Sequence, residues 1–225
     1  MADRKKIIPV PRLLLIAAAA GALAGAVAVY VTGGLDGNNA PPAPVASAED
    51  DTVCPAKAEM AKAVAAAATG HVAAMLPADP PQSLASLAFT GPEGEPMTLA
   101  DHTGKTVLLN LWATWCAPCR EEMPALDALE LERGGDTFEV VAINIDTGDD
   151  SKPKKFLEEV GIRSLGYYRD ASMRSFNDLK KRGLALGLPV TLLIDADGCL
   201  LASMNGPADW SGEDAHRMLD VADPR

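Results

Sequence analysis

Asn110-Leu-Trp-Ala-Thr-Trp-Cys116-Ala-Pro-Cys119-Arg120-Glu-Glu-Met-Pro124 is the stretch on which the fold turns. The residues entering it, Thr106–Trp112, form an apolar run of the kind found in a strand buried on both faces. The residues leaving it, Pro118 to about Glu132, are good helix formers. Cys116 therefore falls where a strand hands over to a helix. Helix N-terminal N–H groups and the macrodipole stabilise a thiolate there and lower the thiol pKa. On this reading Cys116 is an exposed nucleophile. Cys119, one turn further in and more buried, is placed to attack a mixed disulfide and release product. Cys-x-x-Cys is also half of a zinc site. The other half is missing, because His71, His102 and His216 are isolated and no second Cys-x-x-Cys exists.

Outward from this centre, strands and helices alternate. On the N-terminal side, Leu87–Thr90 and Met97–Leu99 flank a Gly/Pro-rich turn and predict a hairpin. On the C-terminal side, Phe138–Ile145 predicts a second buried strand and Ser151–Val160 a helix closed by Gly161. Tyr167–Arg169 predicts a short strand and Ser172–Arg182 a helix. Val190–Asp195 and Leu200–Met204 predict a hairpin about Asp197-Gly198, followed by a helix from near Ser211 to about Val221. The order is that of an α/β domain with a central mixed sheet flanked by helices, expected over 83–225. Val53 to about Met75 predicts an extra N-terminal helix, interrupted near Gly70, in an extension over 52–82 that ends at Pro77, Pro80 and Pro81.

The first 51 residues set the expected compartment. Leu13–Val31 contains no charged side chain, and as a helix it would be about 28 Å long, close to a bilayer's hydrocarbon thickness. Arg4, Lys5, Lys6 and Arg12 against Asp3 leave residues 1–12 at net +3, which predicts a cytoplasmic tail and an exported body. The expectation is a transmembrane anchor over 13–31 and a flexible Gly/Asn/Pro-rich linker over 32–51. The competing reading is a cleaved signal peptide, cut after Ala22-Leu23-Ala24 or Ala26-Val27-Ala28, although the apolar run is longer than a signal core. Either way the body lies outside the cytoplasm, in a bacterium the periplasmic side of the inner membrane. Of the net charge of −11, residues 13–225 carry −14, which repels phosphate backbones and argues against nucleic acid as a partner.

The central motif resembles the thioredoxin superfamily, and within it the membrane-anchored TlpA/ResA-type thiol:disulfide interchange proteins. A second motif, Gly187-Leu188-Pro189-Val190-Thr191, supports the resemblance about 70 residues away. What the resemblance implies is a thioredoxin-like fold from about Leu84 onward and a cis Leu188–Pro189 bond facing the cysteines. It also implies a substrate surface drawn from Trp115, Ala117, Pro118 and Leu188, and no cofactor beyond the Cys116–Cys119 disulfide. Taken alone, Pro189 reads as an ordinary proline at a strand start. Pro124 matches the proline that kinks the active-site helix of the superfamily. Asn110 departs from thioredoxin, which has a buried aspartate there. Resemblance to ResA-type proteins makes Glu122, one turn after Cys119, a candidate acid/base; the alternative is a solvated carboxylate like Glu121. With the active-site pair assigned, Cys54 and Cys199 remain to pair with each other, and TlpA-like proteins carry a comparable structural bridge.

Electron flow can run either way in this fold. Ala117-Pro118 resembles reducing members, and an anchored reductase suits recharging by a transmembrane thiol carrier. The resemblance implies partners in cytochrome maturation: apocytochrome c, or the copper-site cysteines of a chaperone or oxidase subunit. The rival readings are an oxidant that introduces disulfides and, in another class, a copper-delivery protein using Cys116 and Cys119 as ligands.

Overall fold

A computed structural model describes residues 53–223. The expected tail, anchor and linker over 1–51 lie outside these residues, and no helix among the described residues is long and apolar enough to cross a membrane. The chain forms β1 (Leu76–Pro77), β2 (Ala88–Thr90), β3 (Pro96–Thr98), β4 (Thr106–Trp112), β5 (Phe138–Asn144), β6 (Tyr168–Arg169), β7 (Val190–Ile194) and β8 (Leu200–Asn205). Five α-helices lie among the described residues: α1 (Ala58–Ala67), α2 (Ala117–Arg133), α3 (Ser151–Glu159), α4 (Arg174–Lys181) and α5 (Glu213–Ala222). All eight strands lie in one mixed sheet, in the order β1-β8-β7-β4-β5-β6-β2-β3.

Every residue of β4 is buried, which is why its sequence is apolar without alternation. It runs parallel to β5, from Thr106↔Phe138 to Trp112↔Asn144, and antiparallel to β7, from Val107↔Ile194 to Leu111↔Val190. The C-terminal end of β4 therefore lies beside the N-terminal end of β7. That register brings the Leu188–Pro189 bond, which is cis, to the end of the sheet from which Cys116 departs. Asp79–Pro80 is also cis, a bond for which the sequence reading carried no expectation.

The N-terminal extension differs most from its sequence reading. Cys54–Lys57 form a 3₁₀ turn, α1 ends at Ala67, and Gly70–Val72 form a second 3₁₀ turn instead of continued helix. Gly70 adopts a positive φ of 53°, and a Cβ there would collide with the Asp214 carboxylate. That carboxylate accepts hydrogen bonds from Thr69 Oγ1 at 2.9 Å and the His71 amide at 3.4 Å, fixing the end of the extension to α5. Leu76–Pro77 then adds an unforeseen edge strand to β8, where a proline's missing N–H is tolerated. At the other end of the extension, Cys54 and Cys199 form a disulfide with both residues buried. Lys57 Nζ reinforces the junction, 3.2 Å from Asp195 Oδ2 and 2.5 Å from Asp197 Oδ2.

His102, for which the sequence offered no partner, is buried beside the rings of Phe89 and Tyr168, with Nδ1 3.3 Å from Glu139 Oε2. The partner was hidden because it lies 37 residues away, on the neighbouring end of β5.

Candidate active site

Cys116 occupies the N-cap of α2 with φ −92° and ψ 102°, and proline at the start of the helix supplies a preset φ. Its Sγ accepts the Cys119 backbone N–H at 3.2 Å, so the sulfur itself plays the capping role usually taken by a side-chain oxygen. Cys116 and Cys119 are joined as a disulfide with 5.3 Å between their Cα atoms. Cys119 is fully buried, and Cys116 retains 6% of its surface. The sequence reading had Cys116 exposed; in the disulfide its sulfur is folded over the helix start, so only an edge remains open. Around that edge, Trp115 is 65% exposed, Ala117 is exposed, Pro118 and Leu188 are half-buried, and Pro189 is buried.

The loop carrying Trp115 is held from β5. Buried Asp146 accepts the Thr114 amide and hydroxyl, both at 2.9 Å, and the Asn144 side-chain amide at 2.7 Å. Asp146 was not singled out in the sequence, where it looks like an acidic residue opening a polar loop.

Glu122 is 3% exposed, unlike its neighbour Glu121, which faces solvent. Three N–H groups converge on its carboxylate. Asn110 Nδ2 donates to Oε1 at 2.8 Å, while Trp210 Nε1 and the Ala208 amide donate to Oε2 at 3.0 and 3.2 Å. Burial pushes the Glu122 pKa up to about 7, and the three donors, which favour the charged form, hold it from rising further. Asn110 Nδ2 also donates to Thr191 Oγ1 at 2.9 Å. Trp210, Ala208 and Thr191 escaped sequence reasoning because they lie some 70 to 90 residues from Glu122; a buried indole that needs an acceptor was the one available hint. Beside Glu122 opens a cleft of about 350 Å³ walled by His71, Glu121, Ala125, Pro207, Ala208 and Asp209. No three His, Cys, Asp or Glu side chains among the described residues stand close enough together to hold a metal ion.

A family model described as Redoxin matches residues 60–220. The chain belongs to the Redoxin family. Among curated proteins, this Redoxin chain is 35% identical over 112 residues to "Thioredoxin-like protein YneN" of Bacillus subtilis, covering 48% of this chain and 60% of that protein. It is 32% identical over 114 residues to "Thiol-disulfide oxidoreductase ResA" of Bacillus thuringiensis, covering 51% and 62%. The match thus spans about three fifths of the length of these relatives. Among solved structures, a thiol:disulfide interchange protein of the thioredoxin family from Chlorobium tepidum superposes with a TM-score of 0.52 at 25% identity, over 63% of this chain and 96% of that one. The fold of this Redoxin domain is thioredoxin-like.

The raised Glu122 pKa makes stability pH-dependent. The folded state holds the proton more tightly than the unfolded chain, where the ordinary value is 4.5. The contribution is therefore complete below about pH 4.5 and is lost as pH rises through about 7. Denaturant titration of the oxidised protein should show wild type losing roughly 2–3 kcal/mol between pH 5 and 8 relative to Glu122→Gln. Parallel pH profiles for the two proteins would refute this assignment.

Proposed function

We propose that the chain is an extracytoplasmic thiol:disulfide oxidoreductase that reduces disulfides in partner proteins. The observation that carries this reading is the Cys-x-x-Cys pair itself: one cysteine caps a helix with an accessible edge, and its partner is sealed beneath it. The names of the relatives support the same activity. Once reduced, Cys116 is favoured as a thiolate by the helix terminus, attacks a partner sulfur and expels the other as a thiolate. Trp115, Ala117, Pro118 and Leu188 form the surface the partner meets, and Leu188 backbone groups beside cis Pro189 receive its strand. Cys119 then gives its proton to the Glu122 carboxylate and attacks Cys116 Sγ. This forms the intramolecular disulfide and releases the second partner sulfur. No cofactor beyond the redox disulfide is called for.

In this reading residues 13–31 anchor the chain in the bacterial inner membrane with residues 53–223 on the periplasmic side. The oxidised pair is recharged there by a transmembrane thiol-reducing donor. Its substrates are disulfides formed during cytochrome maturation, in apocytochrome c or at copper-site cysteines of a chaperone or oxidase subunit.

The decisive test is the reduction potential of the Cys116/Cys119 pair in the full chain, by equilibration with dithiothreitol or glutathione. A value near thioredoxin's, about −270 mV, is expected; one near DsbA's, about −120 mV, would make the protein an oxidant instead. In single-turnover reduction of an aromatic disulfide, Glu122→Gln should slow release of the second thiol on the order of 10²-fold and leave the first release unchanged. Equal rates for the variant and wild type would remove Glu122 from the mechanism.

A further inference from the structure

We infer that Asn110 is a positioning residue whose side-chain amide turns end for end as Glu122 gains or loses a proton. This deepens the acid/base role proposed for Glu122 and rests on it. The reasoning starts from what surrounds the carboxylate. All three of its partners are N–H donors, an arrangement complete for the ionised form. A protonated Glu122 must instead donate one hydrogen bond, and with only 3% of its surface open at the wall of the cleft it depends on a protein acceptor for it.

Of the three partners, the Ala208 amide and the Trp210 indole can never accept a hydrogen bond. Asn110 alone carries an acceptor. That acceptor, Oδ1, is fully buried and has no hydrogen-bond partner among the described residues. An orphaned buried amide oxygen is costly and calls for an explanation. The two ends of an amide are nearly the same size, so a half-turn about χ2 exchanges them without displacing a neighbour.

With Glu122 ionised, Nδ2 serves Glu122 Oε1 and Thr191 Oγ1, as observed. With Glu122 protonated, the half-turn lets Oδ1 accept from the Glu122 O–H and from the Thr191 hydroxyl, which rotates from acceptor to donor. In each orientation one end of the amide serves two neighbours and the other end none. The orientations are thus balanced, and the proton on Glu122 decides between them. The other titratable groups near Glu122 are Glu121, Asp209 and His71 around the cleft, since Cys116 at the N-cap and Cys119 on α2 are held as a disulfide. β4 and β7 contribute only the neutral Asn110 and Thr191 at this level. Thr191 stands two residues after cis Pro189, so the turn of the amide reaches the strand next to the partner surface.

The experiment follows the Glu122 carboxyl by carbon-13 NMR during a pH titration of the full chain, with both disulfides kept oxidised so that thiol exchange plays no part. Trp210→Phe removes a donor that the ionised carboxylate binds more strongly than the protonated acid, whose Oε2 still accepts it, and should raise the Glu122 midpoint by about one pH unit. Asn110→Leu removes a bond from both forms and should move the midpoint by less than half as much. A fixed amide predicts equal upward shifts for the two variants, and that result would overturn the inference. Should Asn110→Leu fail to fold, the unsubstituted protein decides. Nuclear Overhauser contacts from the Asn110 amide protons to Thr191 should vanish on acidification with the Glu122 midpoint, and their persistence below it would also overturn the inference.

Discussion

Cys119→Ser is expected to accumulate partners and small thiols as stable disulfides on Cys116, while Cys116→Ser accumulates none. The asymmetry follows from access. An incoming disulfide meets the open edge of Cys116 beside exposed Trp115 and cannot reach Cys119, which is sealed beneath it. Once the mixed disulfide has formed, only the residue at position 119 is near enough to displace the partner. A serine hydroxyl is far too weak a nucleophile to do so. Both variants should lose turnover down to the reagent background. The adduct is read on non-reducing gels and by mass spectrometry after exposure of the reduced full chain to glutathione disulfide. Adducts carried by Cys119 in Cys116→Ser would reverse the assignment of the two roles.

The second large effect concerns stability. Cys54 and Cys199 close a loop with a sequence separation of 145 residues. Loop entropy then gives an upper figure of about 5 kcal/mol, and measured losses for native bridges run roughly 2–5 kcal/mol. For a domain of this size that corresponds to a fall in melting temperature of about 5–20 °C. Cys54→Ala with Cys199→Ala is the variant of choice, because alanine adds no polar group to a site where both cysteines are buried. The double variant should retain the reduction potential of Cys116/Cys119, since the bridge joins the extension to the β7–β8 turn. An unchanged melting temperature would show that packing, the β1–β8 pairing, Lys57 and the Asp214 contacts hold the extension without the bridge.

How far the sequence reached depended on the range of the physics involved. β4 was located to the residue because a strand buried on both faces needs an unbroken apolar run, and Pro118 marks where the helix takes over. The C-terminal hairpin was legible from Asp197-Gly198, where Gly198 has a φ of 80°. Both features are local. β1 was not legible: two residues cannot show a period, and Pro77 argues against a strand until the neighbouring edge of β8 is known. The end of α1 was legible from Gly70, which takes a φ of 53°, but its tie to Asp214 on a distant helix was not. At the site, the helix start that favours a thiolate could be inferred from Cys116 and Pro118. For Glu122, helical spacing left open whether it faced water. Its burial is decided by Ala208, Trp210 and Asn110, none of which helical periodicity connects to it.

The staple between Cys54 and Cys199 has a mechanical consequence. Cys199 follows the end of β7 that lies against the start of β4, whereas Cys116 leaves from the end of β4. The bridge that ties the extension to the sheet therefore stands at one pole of the central strands and the reactive sulfur at the other. A pull on Cys54 enters the β7–β8 turn through a covalent bond and passes into β7 and β8. The start of α2, which holds Cys116, lies at the opposite end of β4, away from the path of that load.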